Sequence, residues 1–162
     1  MKQDRSGTTV VASNRRARHD YAILDTFEAG IVLVGSEVKS LRLGQVQLAE
    51  AYARTVNGEL WLEGVHIAPY VRAQGFGAHD PDRARKLLLH ASEISRLSAR
   101  IATERLTLVP LSFYFKDGRA KVELGLARGR TKGDKRQALA ERDADREMQQ
   151  ALGRRRKGVD RD

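Results

Sequence analysis

A cluster of basic side chains near the N-terminus could contact a phosphate backbone. The segment NRRARHDY places Arg15, Arg16 and Arg18 beside Asn14 and His19. Planar guanidinium groups match phosphate oxygens through parallel N–H donors, and Asn and His can hydrogen-bond or stack. The cluster is therefore typical of a nucleic-acid contact.

Two further clusters each pair cations three residues apart. In EVKSLR these are Lys39 and Arg42, and in DRARKLLLH they are Arg83 and Lys86. On a helix this spacing puts both side chains on one face. One such pair alone is more typical of a solvated helix face than of a binding site. The three clusters together indicate a polyanion-binding surface.

The excess positive charge lies at the two ends of the chain. The 162 residues carry 30 Lys and Arg against 21 Asp and Glu, a formal net charge of +9. Residues 1–19 hold five basic residues and one acidic residue, residues 128–162 hold twelve and seven, and residues 20–127 hold thirteen of each. This distribution is typical of a neutral folded body with basic arms that bind RNA or DNA. Arms that only increase solubility are the alternative.

Patterns of catalytic and metal-binding residues are missing from the sequence. There is no cysteine, nucleophile elbow, phosphate loop or HExxH pair, and the four histidines lack metal-ligand spacing. A nuclease using His79 and Asp80 is conceivable, but Asp80 suits a helix cap better. We therefore expect a protein that is not an enzyme and has no cofactor. Without cysteines, an 18-residue apolar run or a secretory signal, we also expect a cytoplasmic protein with no membrane partner.

The elements that must position these clusters are mostly strands. Asn57-Gly58 and Asp117-Gly118 each separate two extended runs, and such dipeptides favour a type I′ hairpin turn because both residues must adopt positive φ. The segment YAILDTFEAGIVLVG predicts two more strands, with a break at Asp25-Thr26. We therefore expect an all-β fold of about six strands, either a barrel or a sandwich.

Helices are predicted at two places between the strands. In HDPDRARKLLLHASEISRLSARIATE, Asp80 can cap a helix that begins at Pro81. One face of that helix would be apolar, made of Leu87, Ala91, Ile94, Leu97 and Ile101. The segment SEVKSLRLG predicts a shorter helix that ends at Gly44.

The C-terminal segment 129–162 has the boundary signals of a helix but little to bury. Asp134 and Gln137 have the spacing of a capping box, and Gly153 suits the C-terminal cap. Like charges repeat at i,i+4, each pair costing about 0.2–0.5 kcal/mol, and an isolated helix of this length is marginal in water. We expect a tail that is disordered alone and helical on a charged partner. Loose packing of a helix on the domain is the alternative.

Six blocks of residues resemble the SsrA-binding protein (small protein B) family of bacteria. They occur in the family order and are NRRARHDY, FEAGIVLVGSEVKSLRLG, HIAPY, DPDRARKLLLH, TLVPLSFYFKDGRAKVELGLARG and DKR. The resemblance covers about residues 14–136. It implies a small closed antiparallel barrel related to the OB fold, with two to three flanking helices and a basic C-terminal tail. It also implies a protein, expected as a monomer, that binds transfer-messenger RNA and delivers it to stalled ribosomes in trans-translation.

The resemblance also implies which residues hold the transfer-RNA-like part of that RNA. By motif they are Glu28 of the E-A-G block, Leu88 of the K-L-L-L block and Lys121 after the last hairpin, with Asn14 on the same surface. Lys121 can meet phosphate, Glu28 can accept from a base amine or a 2′-OH, and Leu88 can pack on a base or ribose. As alternatives, Leu88 could be a core residue and Glu28 could pair with a neighbouring arginine.

In the family the tail enters the empty messenger channel of the small ribosomal subunit near the decoding centre and becomes helical there. Basic side chains suit a tunnel walled by ribosomal RNA phosphates. The expected ribosome-binding residues are Arg130, Lys132, Asp134, Lys135, Arg136, Arg142 and Arg146. The sequence departs from the family in having Gly133 before DKR, where relatives often have a ring-bearing residue.

We therefore expect three regions. Residues 1–13 are a disordered N-terminal arm, residues 14–128 an RNA-binding barrel, and residues 129–162 a basic tail. The alternative function is a general single-stranded RNA-binding module or RNA chaperone.

Overall fold

The structure is a computed structural model that describes residues 2–3, 7–70, 78–129 and 146–153. It divides into two units, Met1–Gly129 and Arg130–Asp162. The described strands are β1 (Lys2–Gln3), β2 (Thr8–Ser13), β3 (Tyr21–Ile31), β4 (Val46–Gln47), β5 (Tyr52–Val56), β6 (Glu59–Glu63), β7 (His66–Ile67), β8 (Arg85–Leu88), β9 (Thr107–Lys116) and β10 (Arg119–Gly129). The helices of the first unit are α1 (Arg15–Asp20), α2 (Gly35–Arg42) and α3 (Ala91–Glu104). In the second unit, residues 146–153 are helical.

Six strands of the first unit form a closed ring. They pair antiparallel in the order β9, β10, β3, β8, β6 and β5, and β5 returns to β9 through Ala53 and Leu108. Strand β2 extends the sheet beyond β9, and β4 pairs with β7 separately. A mostly β fold with a ring of six strands and several helices is therefore confirmed. Within the described ranges, no helix is long and apolar enough to cross a membrane.

Both predicted hairpins are confirmed. Asn57 and Gly58 have φ of 51° and 76° between β5 and β6, and Asp117 and Gly118 have φ of 51° and 80° between β9 and β10. Positive φ at both central residues is the signature of the type I′ turn. The turns therefore fix the register of both strand pairs.

The predicted break at Asp25-Thr26 is wrong, because β3 runs without interruption from Tyr21 to Ile31. Along β10, Leu126 pairs with Asp25 but Ala127 pairs with Ile23, so Leu24 is an extra residue on β3. Such a bulge bends a strand without ending it. The polar Asp-Thr pair lies on a strand that continues through the bulge.

The helix predicted to begin at Pro81 starts only at Ala91. Residues Arg85–Leu88 instead form β8 between β3 and β6, and Asp80 accepts the amide hydrogen of Asp82 in a turn (3.0 Å). The apolar residues of this segment fit a helical period and a strand period equally well, and pairing with two neighbouring strands decides the outcome. The second half of the prediction is confirmed, since Ile94 and Leu97 on α3 are buried. The short helix α2 is confirmed as well.

Three elements near the N-terminus were not predicted: β1, which pairs with β2, then β2 itself and α1. Residues Thr8–Ser13 form β2 against β9, so the structure differs from the expected disordered arm at these positions. The β-branched run in TTVV is typical of a strand. Helix α1 follows directly, and Asn14 caps it by accepting the amide hydrogen of Ala17 (3.1 Å).

The apolar side chains form two clusters. The main core includes the fully buried residues Leu60, Leu62, Phe113, Val122 and Leu124 of the ring strands, with Leu41 of α2 and Leu97 of α3 packed among them. A smaller cluster joins α1 to the sheet and contains Ala17, Val109, Leu111 and Ala127. The small cluster fixes α1 against β9 and β10.

A buried ion pair links α2 to the start of β8. The side chains of Glu37 and Arg85 are both 0% exposed, and the Arg85 Nε donates to Glu37 at 2.6 Å. Arg83 also donates to this carboxylate, as does the amide of Val34 (2.9 Å), while the Arg85 Nη1 donates to the carbonyl of Val65 (2.7 Å). Burial alone would raise the pKa of Glu37, but these hydrogen bonds outweigh it and hold the pKa below its usual range. The pair therefore links three segments of the chain, which are α2, the start of β8 and the backbone at Val65.

Substitution of Gly125 by alanine is expected to destabilise the fold. A Cβ at this position would lie 2.9 Å from Cδ1 and 3.1 Å from Cγ of Leu111, whose side chain is held in the small cluster. Overpacking of this kind costs roughly 1–3 kcal/mol, which urea denaturation would measure. Gly129→Ala, at the end of the same strand, is the matched control and is expected to be neutral, because no atom of the described residues lies within 4 Å of an added Cβ. Equal stability of the two variants would contradict this packing.

Glu37→Gln is expected to lower the free energy of unfolding by about 3 kcal/mol, because it leaves Arg85 buried without a counter-charge. Glu59→Gln, which removes an exposed pair with Lys86 (3.2 Å), should change it by less than about 1 kcal/mol. Since the pKa of Glu37 is lowered in the fold, its contribution is present above the ordinary carboxyl pKa and is lost as the pH falls through the folded value. Urea denaturation from pH 7 to pH 3 should therefore show the two curves, parent and Glu37→Gln, converging. A constant difference across this range would contradict the assignment.

Candidate nucleic-acid interface

Three predicted site residues line one depression on the outside of the ring. Gly30 of β3 is the cross-strand partner of both Leu88 on β8 and Lys121 on β10. Glu28 lies two residues before Gly30 and therefore on the same face of the sheet. The depression has a volume of about 400 Å³, and its lining is completed by Leu89, His90 and Glu93. The structure thus brings Glu28, Leu88 and Lys121 together from three adjacent strands.

The glycine at position 30 leaves room for Leu88. A Cβ on Gly30 would lie 3.3 Å from the Cβ of Leu88, which is tighter than an ordinary contact. Leu87, the neighbour of Leu88, is buried at 1% exposure, whereas Leu88 is 51% exposed. Leu88 is therefore a surface residue, and the alternative that it belongs to the core is wrong.

The carboxylate of Glu28 is held ionised by its neighbours. The Tyr114 hydroxyl donates to Oε2 at 2.5 Å, and Lys116 Nζ lies 3.5 Å from the same oxygen. The Tyr114 hydrogen bond lowers the pKa of Glu28; desolvation opposes it, and Lys116 and Lys121 lower it further. Burial and the nearby Glu28 carboxylate raise the pKa of Tyr114, which stays a donor. Among the described residues, none donates to Oε1 of Glu28.

Asn14 is an internal residue rather than an exposed one. Asn14 is 4% exposed, and its side-chain amide donates to the carbonyls of Leu48 (3.1 Å) and Pro110 (2.9 Å). Its Oδ1 caps α1. The side chain therefore positions α1, and its burial gives no support to the expected RNA contact.

The remaining residues of the N-terminal cluster lie on α1, next to the depression. Arg18 Nη2 lies 3.2 Å from Oε1 of Glu123, which is the cross-strand partner of Glu28. Arg18 remains 55% exposed despite this ion pair. The outer face therefore continues from the depression across β10 to α1.

Of three other side chains on α1, two pair with acidic residues and the third is exposed. Arg16 pairs with Asp20 one turn on (3.4 Å) and with Glu50 (3.8 Å), yet is 63% exposed. The Nδ1 of His19 lies 3.0 Å from Asp20. Arg15 is exposed on the same helix. The guanidinium groups of Arg15 and Arg16 can both be reached by a polyanion.

The two cations of α2 lie over aromatic rings. Lys39 Nζ is 5.3 Å from the centre of the Tyr70 ring, and the guanidinium of Arg42 is 4.4 Å from that of Phe115. Such cation–π contacts contribute about 0.5–1 kcal/mol at exposed sites and fix the direction of the side chain. Both residues lie on the exposed side of α2.

The expectation that Arg83 and Lys86 share a helix face is wrong, because neither lies on a helix. Arg83 precedes β8 and pairs with the buried Glu37, so it belongs to the structural ion network. Lys86 lies in β8 two residues before Leu88, on the same outer face, and pairs with Glu59. Only Lys86 of this cluster therefore borders the depression.

Most of the predicted tail residues lie outside the part of the chain that the structure describes. Arg130, Lys132, Asp134, Lys135, Arg136 and Arg142 lie outside the described residues. Arg146 is exposed in the helical segment 146–153. In the same segment Met148 is 64% and Leu152 54% exposed.

The histidine considered for catalysis has a structural role. His79 Nδ1 lies 2.8 Å from the Ser36 hydroxyl, and Nε2 lies 2.9 Å from the carbonyl of Ile67. Both ring nitrogens are thus engaged, and Asp80 forms its own turn. In the described part of the chain, no group of His, Asp and Glu is arranged to hold a metal ion.

Tyr114, Lys116 and Glu123 are not among the predicted site residues, although the hairpin turn gives a signal for the first two. A two-residue turn at Asp117-Gly118 pairs Lys116 with Arg119 and Tyr114 with Lys121. Counting back from the turn would have placed Tyr114 beside Lys121. The link from β10 to Glu28 could not be found in this way, because β3 is far away in the sequence.

Comparison with known proteins gives one consistent family. The family model described as SmpB protein matches residues 11–154. The SsrA-binding protein of Salinispora arenicola is 58% identical over 154 residues, covering 95% of this chain and 96% of the relative. That of Mycolicibacterium smegmatis is 58% identical over 157 residues, covering 97% of both. A solved structure described as "tmRNA-SmpB: a journey to the center of the bacterial ribosome" matches with a TM-score of 0.63 and 51% identity, over 79% of this chain and 93% of that one. The chain therefore belongs to the SmpB protein family.

Proposed function

We propose that this protein binds transfer-messenger RNA through the outer face around the depression and delivers it to stalled ribosomes in trans-translation. The observation that best supports this proposal is that Glu28, Leu88 and Lys121 line one depression although they come from three different strands. Relatives that match almost the whole chain are named SsrA-binding protein, and the matched structure is described as tmRNA-SmpB on the bacterial ribosome. Because stalled ribosomes are in the cytoplasm, we propose that the protein acts there.

The three side chains offer different chemistry to one folded RNA. Lys121 supplies a cation for a phosphate oxygen, and the ionised Glu28 accepts from donors such as base amines and 2′-hydroxyls. The 51% exposed Leu88 offers an apolar surface to a ribose or an unstacked base. A site that combines a donor, an acceptor and an apolar contact within one depression suits a folded RNA better than a uniform duplex.

Neighbouring cations extend this site. Arg18 pairs with Glu123, the cross-strand partner of Glu28, and Lys86 lies two residues before Leu88 on β8, so both can contact the phosphate backbone of an RNA bound at the depression. Arg15 and Arg16 lie on the same helix as Arg18 and are proposed to add further phosphate contacts. We further propose that the ring is a small closed barrel related to the OB fold, as its six antiparallel strands suggest. The exposed strand face and its flanking elements are where such barrels bind nucleic acid.

The basic tail is proposed to occupy the empty messenger channel near the decoding centre. Its net positive charge suits a tunnel walled by phosphates, and its like-charged i,i+4 pairs disfavour a helix in water. Residues 146–153 are helical in the chain alone, which differs from the expectation of a wholly disordered tail. We therefore propose that the ribosome stabilises the helix of the tail through the field of ribosomal RNA.

Substitutions at the depression should weaken RNA binding in two distinguishable ways. Lys121→Ala should lower affinity for the transfer-RNA-like domain by about tenfold. It should also reduce the slope of log affinity against log salt concentration by about one, the amount expected for one lost phosphate contact. Glu28→Gln should lower affinity by a similar factor with the salt dependence unchanged, because no phosphate contact is lost. Fluorescence anisotropy titrations over a series of salt concentrations would measure both quantities.

Arg96→Ala provides a charge-matched control for Lys121→Ala. Arg96 is exposed on α3 and does not line the depression. Among the residues that the structure describes, its Nε donates only to the carbonyl of Ser92 in the same helix (3.4 Å). If Lys121→Ala bound no more weakly than Arg96→Ala, the depression would not be the RNA site. Equal affinity for unstructured RNA and for the transfer-RNA-like domain would instead favour the general RNA-binding alternative.

Removal of residues 130–162 should separate the two steps of the function. The truncated chain retains all of the first unit, Met1–Gly129, so its affinity for the RNA should change by less than about threefold. Peptide tagging of stalled chains in a reconstituted translation system should be lost. Normal tagging by the truncated protein would exclude the proposed channel role, even if RNA binding were as expected.

A further inference from the structure

A buried tyrosine, Tyr114, forms a hydrogen bond with the exposed carboxylate of Glu28. Tyr114 is 8% exposed, whereas Glu28 lies at the surface with 41% of its side chain exposed. The hydroxyl of Tyr114 donates to Oε2 of Glu28 at 2.5 Å, a distance typical of a charge-assisted O–H···O⁻ bond. A buried ring thus anchors one oxygen of an exposed carboxylate.

The two oxygens of Glu28 have different environments. Oε2 accepts from Tyr114 and Lys116, and both donors come from β9. Oε1 accepts from none of the residues that the structure describes. A carboxylate bound by one oxygen to a rigid donor keeps one rotamer, so its second oxygen is presented at a fixed place.

We propose that Tyr114 is a positioning residue for RNA recognition, which holds Glu28 in the rotamer that presents Oε1 to a hydrogen-bond donor of the RNA. The donor would be a base amine, an imino N–H or a 2′-hydroxyl, since an ionised carboxylate only accepts. This inference rests on the proposed function and adds a residue that does not itself line the depression.

Other charged groups face Glu28 and must be separated from the effect of Tyr114. Lys116 comes from β9, and Lys121 and the like-charged Glu123 come from β10. His90 and Glu93 line the same depression at the start of α3. The Tyr114 hydrogen bond contributes most to the lowered pKa of Glu28, so its loss should raise that pKa toward the usual carboxyl range.

The test is a double-mutant cycle with Tyr114→Phe and Glu28→Gln, read as affinity of the full chain for the transfer-RNA-like domain between pH 4 and pH 7. Tyr114→Phe keeps the ring and removes only the hydroxyl. It should weaken binding about twofold to tenfold at pH 7, the cost of immobilising one freed side chain. In the Glu28→Gln background the same change should have no effect.

The pH profile adds a readout that a merely structural role would not move. Protonation of Glu28 should weaken binding as the pH falls through its folded pKa, and Tyr114→Phe should shift this loss to higher pH. The Glu28→Gln protein lacks this step, so its profile isolates any contribution of His90 and Glu93. Lys116→Gln, at an exposed position, is the second variant if Tyr114→Phe folds poorly, and should shift the loss in the same direction by a smaller amount.

Three results would overturn the inference. They are unchanged affinity of Tyr114→Phe, an effect of the same size in the Glu28→Gln background, or a pH profile of Tyr114→Phe that matches the parent. These results differ from failure of the proposed function, in which Glu28→Gln and Lys121→Ala themselves leave affinity for the RNA unchanged.

Discussion

The buried contact between Glu37 and Arg85 fixes the point at which β8 enters the ring, and the candidate site depends on that point. Removing two full charges from water is costly, and the additional hydrogen bonds offset this cost. Arg83 and the amide of Val34 donate to Glu37, and Arg85 donates to the carbonyls of Val65 and Pro81. With Arg85 held inside, the alternation of the strand turns Leu88 outward. The position of the RNA-facing leucine thus follows from an ion pair that no RNA touches.

On the outer face of the ring, in contrast, charged side chains are partly exposed rather than buried. Glu28 and Glu123 lie directly opposite each other on β3 and β10, an arrangement that repels. Each is offset by a separate donor, Tyr114 for Glu28 and Arg18 for Glu123. The face therefore carries acceptors and cations side by side at partial exposure, which suits selective contact with a folded RNA. A purely cationic face would bind any polyanion.

Local signals predicted a large part of this fold, and long-range pairing decided the rest. Asn57-Gly58 and Asp117-Gly118 identified two hairpins because positive φ is a property of the turn residues themselves. The segment around Leu88 has an apolar spacing that fits a helix as well as a strand, so the sequence predicts a helix, and only pairing with β3 and β6 selects the strand. Resemblance identified Glu28, Leu88 and Lys121, but Tyr114 acts on Glu28 from 86 positions away along the chain. A contact of that kind leaves no local pattern.

Methyl NMR of Leu88 in complex with the transfer-RNA-like domain tests the central claim most directly. Leu24, which is 45% exposed at the bulge of β3 and does not line the depression, is the control leucine. If the depression binds the RNA, the Leu88 methyl protons will show contacts to ribose or base protons and those of Leu24 will show none. Leu88 resonances that do not change in a saturated complex would contradict the account.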